Sequence, residues 1–130
     1  MRAVDTNVLV RLLVDDEPDQ AAVAQQVMAA EPVFVPKTVV LELEWVLRSV
    51  YRLSPASIAA GIEGLLATAA IEVEDAVAVS RAVVWFREGL DFADALHLAS
   101  SSHVGAFVTF DAALRRRAAA LGTRPPATAL

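Results

Sequence analysis

Short apolar runs recur along this chain, and segments of helix-like periodicity lie between them. The runs are Arg2–Asp5, Val33–Val35, Ala70–Val73 and Ala106–Phe110. A strand that reads as nearly continuous apolar residues is one buried on both faces, as in a parallel sheet. Parallel neighbours require a crossover connection, and helices supply it. The alternation therefore predicts an α/β fold: a short, mostly parallel sheet with helices on both faces, a three-layer sandwich. Ligands of such sheets bind beyond the C-terminal ends of the strands.

The intervening segments have recognisable starts and stops. Thr6–Val14 carries Val8, Leu9, Leu12 and Leu13 at helical spacing. Asp15–Asp19, with Pro18, reads as a turn and the start of a helix through Met28, stopped by Glu31-Pro32. Thr38 is expected to cap a helix to about Tyr51, with Val39, Leu43, Val46, Leu47 and Val50 as its apolar stripe. Ser54 as cap and Pro55 at the first helical position open another, to about Thr68. Asp75–Glu88 follows, Gly89-Leu90 breaks the chain, and Asp91 caps a helix expected to reach about His103. Ala112–Leu121 closes at Gly122, after which Arg124-Pro125-Pro126 excludes a regular helix or a central strand.

Composition narrows the class. With 130 residues, 56% of them hydrophobic and 21% charged, the chain suits one globular domain and excludes a disordered one. It has no cysteine, which removes disulfides, thiolate metal sites and cysteine nucleophiles. No apolar run reaches the ~18 residues of a membrane span. Asp5 and Arg11 interrupt the N-terminal apolar stretch, so it does not read as a signal peptide, and a cytoplasmic location is expected. The net charge of −5 argues against a simple electrostatic nucleic-acid binder. That objection weakens where the acids gather in one place and metal ions neutralise them.

Four acids stand where such a site would form. Asp5 and Asp111 each follow a candidate strand, and Glu42 and Asp94 lie on helices. Crowded carboxylates repel one another unless a cation compensates. An all-oxygen cluster suits Mg²⁺ or Mn²⁺, and such ions can activate water and stabilise a leaving oxygen in phosphodiester hydrolysis. Taken singly, each acid has the plainer reading of a helix cap or a solvated residue.

These blocks, AVDTNVLVRLL, VVLELEWVL, DFADALHLA and FVTFDAAL, resemble in order and spacing the PIN-domain ribonucleases, in particular the VapC toxins of type II toxin–antitoxin modules. The resemblance implies a single PIN domain over residues 1–130 and a Mg²⁺- or Mn²⁺-dependent endoribonuclease acting on cellular RNA. It also implies products with 5′-phosphate and 3′-hydroxyl ends, and neutralisation by a cognate VapB-type antitoxin. Asp5, Glu42, Asp94 and Asp111 match the acidic metal-site positions, Thr6 and Asn7 the polar residues after the first Asp, and Thr109 the hydroxyl before the last. A homodimer and a toxin–antitoxin hetero-oligomer are the expected assemblies, with no membrane partner.

Helical geometry decides between neighbouring candidates. Glu42 and Glu44 point roughly 200° apart on one helix, so both cannot enter one site. The family block places its acid three residues before a Trp, which selects Glu42 ahead of Trp45 and leaves Glu44 as an expected solvated residue. Asp91 and Asp94 share a helix face; Asp91 is expected as a cap, with a supporting metal contact as the alternative. His97 is expected in a structural or rim role and His103 at the surface. Arg115-Arg116-Arg117 is the only basic run. It reads as a solvated helix face, or with Arg11, Arg87 or Lys37 as a source of phosphate contacts. Trp45 and Trp85 are expected in the core or a dimer contact.

Three other functions compete. A phosphorylated receiver would use a late lysine, but Lys37 is the only one. An aspartyl-phosphate phosphatase would want an acid two residues after Asp5, where Asn7 stands. A catalytically silent PIN domain that binds RNA or protein is the strongest rival.

Overall fold

The computed structural model describes residues 1–14 and 16–130. The described chain forms two compact units, Met1–Ala76 and Val77–Leu130. The expected turn over Asp15–Asp19 falls in part on Asp15, which lies outside the described residues.

In the first unit the order is β1 (Arg2–Ala3), α1 (Thr6–Leu13), α2 (Pro18–Ala30), β2 (Val33–Val35), α3 (Lys37–Ser49), α4 (Pro55–Ala67) and β3 (Ile71–Val73). The strands form one sheet in the order β1-β2-β3. Every pairing is parallel, with Arg2 opposite Val33, Ala3 opposite Phe34, and Val33 opposite Ile71. Leu9, Val33, Val35, Val40, Leu43 and Ile58 are fully buried and form its core. As expected, the Ser54 hydroxyl caps α4 by accepting from the Ser57 amide, with Pro55 next in line.

The second unit runs α5 (Ala76–Arg87, begun on the last residue of the first unit), α6 (Phe92–Ala99), β4 (Phe107–Val108), α7 (Ala112–Leu121) and β5 (Ala127–Thr128). Strands β4 and β5 pair in parallel. Phe92, Leu98, Val79 and Ala118 centre its core, and the Phe92 ring meets Phe86 edge-on at 5.4 Å. Gly122 ends α7 in the left-handed conformation, φ 63°, where a side chain would add strain. Short parallel sheets flanked by helices make this an α/β fold. Among the described residues no helix is long and apolar enough to cross a membrane.

The structure corrects three expectations and adds a strand that the sequence reading did not include. Thr38 does not cap α3; Pro36 holds the cap position, and the Glu74 carboxylate accepts the Lys37 amide at 2.8 Å from outside the helix. Helix α6 stops at Ala99 rather than near His103. The Ser101 hydroxyl donates to the His97 carbonyl there, the local competition by which serine ends helices. Val50 is exposed, and the buried stripe of α3 is Val40, Leu43, Glu44 and Leu47 instead. A fifth strand follows the Pro pair: Phe107 donates to the Pro126 carbonyl and Thr109 to that of Thr128. Proline cannot donate, but its carbonyl still accepts, so an edge pairing is open to it.

Candidate active site

Within the first unit, Thr6 opens α1 and is buried. Its hydroxyl donates a hydrogen bond to Oε1 of Glu42 on α3, fixing that carboxylate. Asp5 precedes it and is exposed. Its Oδ1 caps α1 by accepting from the Val8 amide at 3.3 Å. Asn7, also exposed, lines with Val8, Val23 and Val27 a mainly apolar groove of about 340 Å³ between α1 and α2. The chain leaves β1 in extended conformation and must turn into α1 at once. An Asp at that junction satisfies the first free amides of the helix.

Within the second unit the same device appears twice. Asp91 caps α6 through Oδ2, which accepts from the Asp94 amide at 3.1 Å. Asp111 caps α7 through Oδ1, which accepts from the Leu114 amide at 3.0 Å. The Asp111 amide in turn donates to the Thr109 hydroxyl at 3.0 Å, so Thr109 positions the acid that follows it. Asp94 sits half-buried in the first turn of α6. Burial pushes its carboxyl pKa above the ordinary Asp value, the charges of Asp91 and Asp111 push it further, and His97 pulls it back. The His97 ring itself is exposed and stacks on Phe107 at 6.4 Å.

The shift has a sign that can be tested. An acid with a raised folded-state pKa stabilises the native state below its unfolded pKa, and that contribution is lost as pH rises through the folded pKa. With chelator present near pH 7, ionising Asp94 costs stability, because its surroundings favour the neutral acid. Asp94→Asn is therefore expected to raise the melting temperature there. The gain should shrink as pH falls below about 4, where the wild-type carboxyl is also neutral. Thermal melts of both proteins at the two pH values check it; an equal gain at both would remove Asp94 ionisation as the cause.

Oxygen-only donors are the right chemistry for Mg²⁺ or Mn²⁺. Among the described residues no group of three or more Asp, Glu or His is gathered into a ready-made cage. Mg²⁺ does not need one, since it binds through one or two carboxylates and keeps several waters. The charges of Asp91 and Asp111 on Asp94 are what such a cation would neutralise, and carboxylate oxygens are the donor type it takes.

One residue differs from expectation. Glu44 is 3% exposed, not solvated, and its Oε2 accepts from Arg48 Nε at 2.7 Å. The 40, 43, 44, 47 spacing of α3 could have shown this in advance, because it places Glu44 on the buried stripe. Of the two tryptophans expected in the core or a dimer contact, Trp85 is in the core and Trp45 is 54% exposed. Arg11 hydrogen-bonds Gln20, Asp16 and Tyr51, joining α1 to α2 and to the end of α3. Its pKa is raised chiefly by the Tyr51 hydroxyl. Lys37 pairs with Asp75 at 3.0 Å.

Comparison with curated proteins gives no significant match. The PIN domain family model matches residues 2–120, a stretch that contains all four acids together with Thr6, Asn7, Asp91 and Thr109, and the chain belongs to the PIN domain family.

Proposed function

We propose that this PIN domain is a metal-dependent endoribonuclease, the toxin of a type II toxin–antitoxin pair of the VapC kind. PIN domains are commonly nucleases and generally bind divalent metals. The observation that carries the reading is the PIN match over residues 2–120, which takes in all four acids; beside it, burial and the charges of Asp91 and Asp111 raise the pKa of Asp94. Asp5, Glu42, Asp94 and Asp111 are the residues that would hold Mg²⁺ or Mn²⁺. Such an ion supplies a water acidic enough to attack phosphorus and a positive charge for the departing oxygen. The chain's own contribution is positional. Thr6 fixes Glu42, Thr109 fixes Asp111, and Asp91 sets the first turn of α6 so that Asp94 is presented from a rigid helix rather than a loop.

The toxin role and its partner belong to the same proposal. The groove beside Asn7 is apolar and lies along α1, suited to an amphipathic segment of an antitoxin. The exposed Trp45 suits a homodimer contact. A cytoplasmic location follows from an RNA substrate in the cell. The test is cleavage of total RNA by the purified protein with millimolar Mn²⁺ or Mg²⁺ and with chelator. Cleavage that needs the divalent ion and leaves 5′-phosphate ends is expected. Undiminished cleavage in chelator would overturn metal dependence, and no cleavage in either condition would favour a silent binding module.

A further inference from the structure

The most exposed large apolar side chain of this protein is Phe110, at 85%. An isolated exposed apolar residue is ordinary and by itself means nothing. The setting of Phe110 is not ordinary, because hydrogen bonds hold the turn on both sides of it. Before it, the Thr109 amide donates to the Thr128 carbonyl at 3.0 Å, and the Thr109 hydroxyl accepts the Asp111 amide at 3.0 Å. After it, Asp111 is held by its capping bond to Leu114. The turn thus presents an aromatic ring to water from a fixed backbone, so little backbone freedom remains to be lost when something stacks on it.

A cation is anchored at the same turn. Arg115 Nη1 donates at 2.8 Å to the Thr109 carbonyl, the one joined by its peptide bond to Phe110. A guanidinium has five N–H donors, and this contact takes one. The backbone on one side of Phe110 therefore carries the Arg115 contact at Thr109, and the next residue on the other side is Asp111. An aromatic face beside a fixed cation is the pairing that binds an unpaired nucleotide, base on ring and phosphate on cation.

We infer that Phe110 is a stacking platform for one unpaired base of a single-stranded RNA, and that Arg115 holds the adjoining phosphate beside Asp111. This deepens the nuclease reading and rests on it for the choice of RNA. It makes Phe110 a positioning residue, selecting unpaired over paired substrate, because a base within a duplex has no free face.

The experiment is equilibrium binding of a fluorescein-labelled, mixed-sequence single-stranded RNA in an Asp94→Asn background, with and without Phe110→Ala. Loss of the ring is expected to weaken binding by about five- to a hundredfold, the range of one base–aromatic stack, with the melting temperature unchanged. Phe110→Trp should restore binding, whereas Phe110→Leu, apolar but without a π face, should not. Arg115→Ala should flatten the salt dependence by about one phosphate contact. A duplex of the same sequence should compete poorly. Binding unaltered by Phe110→Ala, or rescued by Leu as well as by Trp, overturns the proposal, as does a change of oligomeric state with RNA affinity intact. The two readings fail separately. A protein that cleaves RNA and binds equally well without Phe110 keeps the nuclease and loses the platform. One that cleaves nothing but needs Phe110 for binding keeps the platform and loses the nuclease.

Discussion

Asp94→Asn is expected to abolish RNA cleavage, lowering kcat/KM by about a hundred- to a thousandfold or more with the fold intact. The amide keeps the size of the carboxyl and leaves the Asp91 capping bond alone, since that bond uses the Asp94 backbone amide. What it removes is a charged oxygen donor at the residue on which Asp91 and Asp111 bear. Transition-state stabilisation by a held cation is worth several kcal/mol, and each 1.36 kcal/mol is a decade in rate. Single-turnover cleavage under saturating Mn²⁺ measures it, alongside growth arrest on expression without a partner. A variant within about threefold of wild type would take Asp94 out of the reaction. Growth arrest that persists while cleavage is lost would separate toxicity from the nuclease.

The largest stability effect should come from Phe92, which stands between the cap Asp91 and the acid Asp94. Its side chain is 1% exposed and packs edge-on against Phe86 with the rings 82° apart. Truncating a buried Phe to Ala costs about 3–5 kcal/mol, the lost transfer energy plus the cavity left behind. For a chain of this length that is a fall of roughly 10–20 °C in melting temperature. The same change at Phe110 should move the melting temperature hardly at all, which makes the pair an internal control. A fall of less than about 5 °C for Phe92→Ala would show that α6 draws its stability from elsewhere. Cleavage measured well below the lowered melting temperature would then report how far the site depends on that anchor.

Much of this was legible from residue order alone. Local signals with a single physical meaning were read correctly. Ser54-Pro55 starts a helix, Asp91 caps one, and Gly122 ends one because only a residue tolerant of positive φ fits there. The parallel pairing followed from the alternation of short strands with helices, although β1 is exposed rather than buried on both faces. Misreadings arose where a distant group replaced a local one. The α3 terminus is satisfied by Glu74 across the chain, and a pattern search confined to Thr38 cannot see that. Glu44 was judged by its charge, although its helical phase groups it with Val40 and Leu47. Burial there is tolerated because Arg48, one turn later, meets the carboxylate. Strand β5 escaped notice because a Pro pair argues against a strand only when amide donors are needed, and here carbonyl acceptors sufficed. The four acids of the candidate site came from the resemblance, while the contacts of Thr6 with Glu42 and of Thr109 with Asp111 required the fold.

That last strand carries a practical consequence. The matched region ends at residue 120, yet the carbonyls that hold β4 come from Pro126 and Thr128. A chain trimmed to the matched boundary would keep every acid of the candidate site and lose the clasp on the turn bearing Asp111. Its edge strand would be left with unpaired amides, an invitation to association with other chains. The outline matched by the family and the piece that closes its last sheet are thus different objects here, separated by eight residues at the tail.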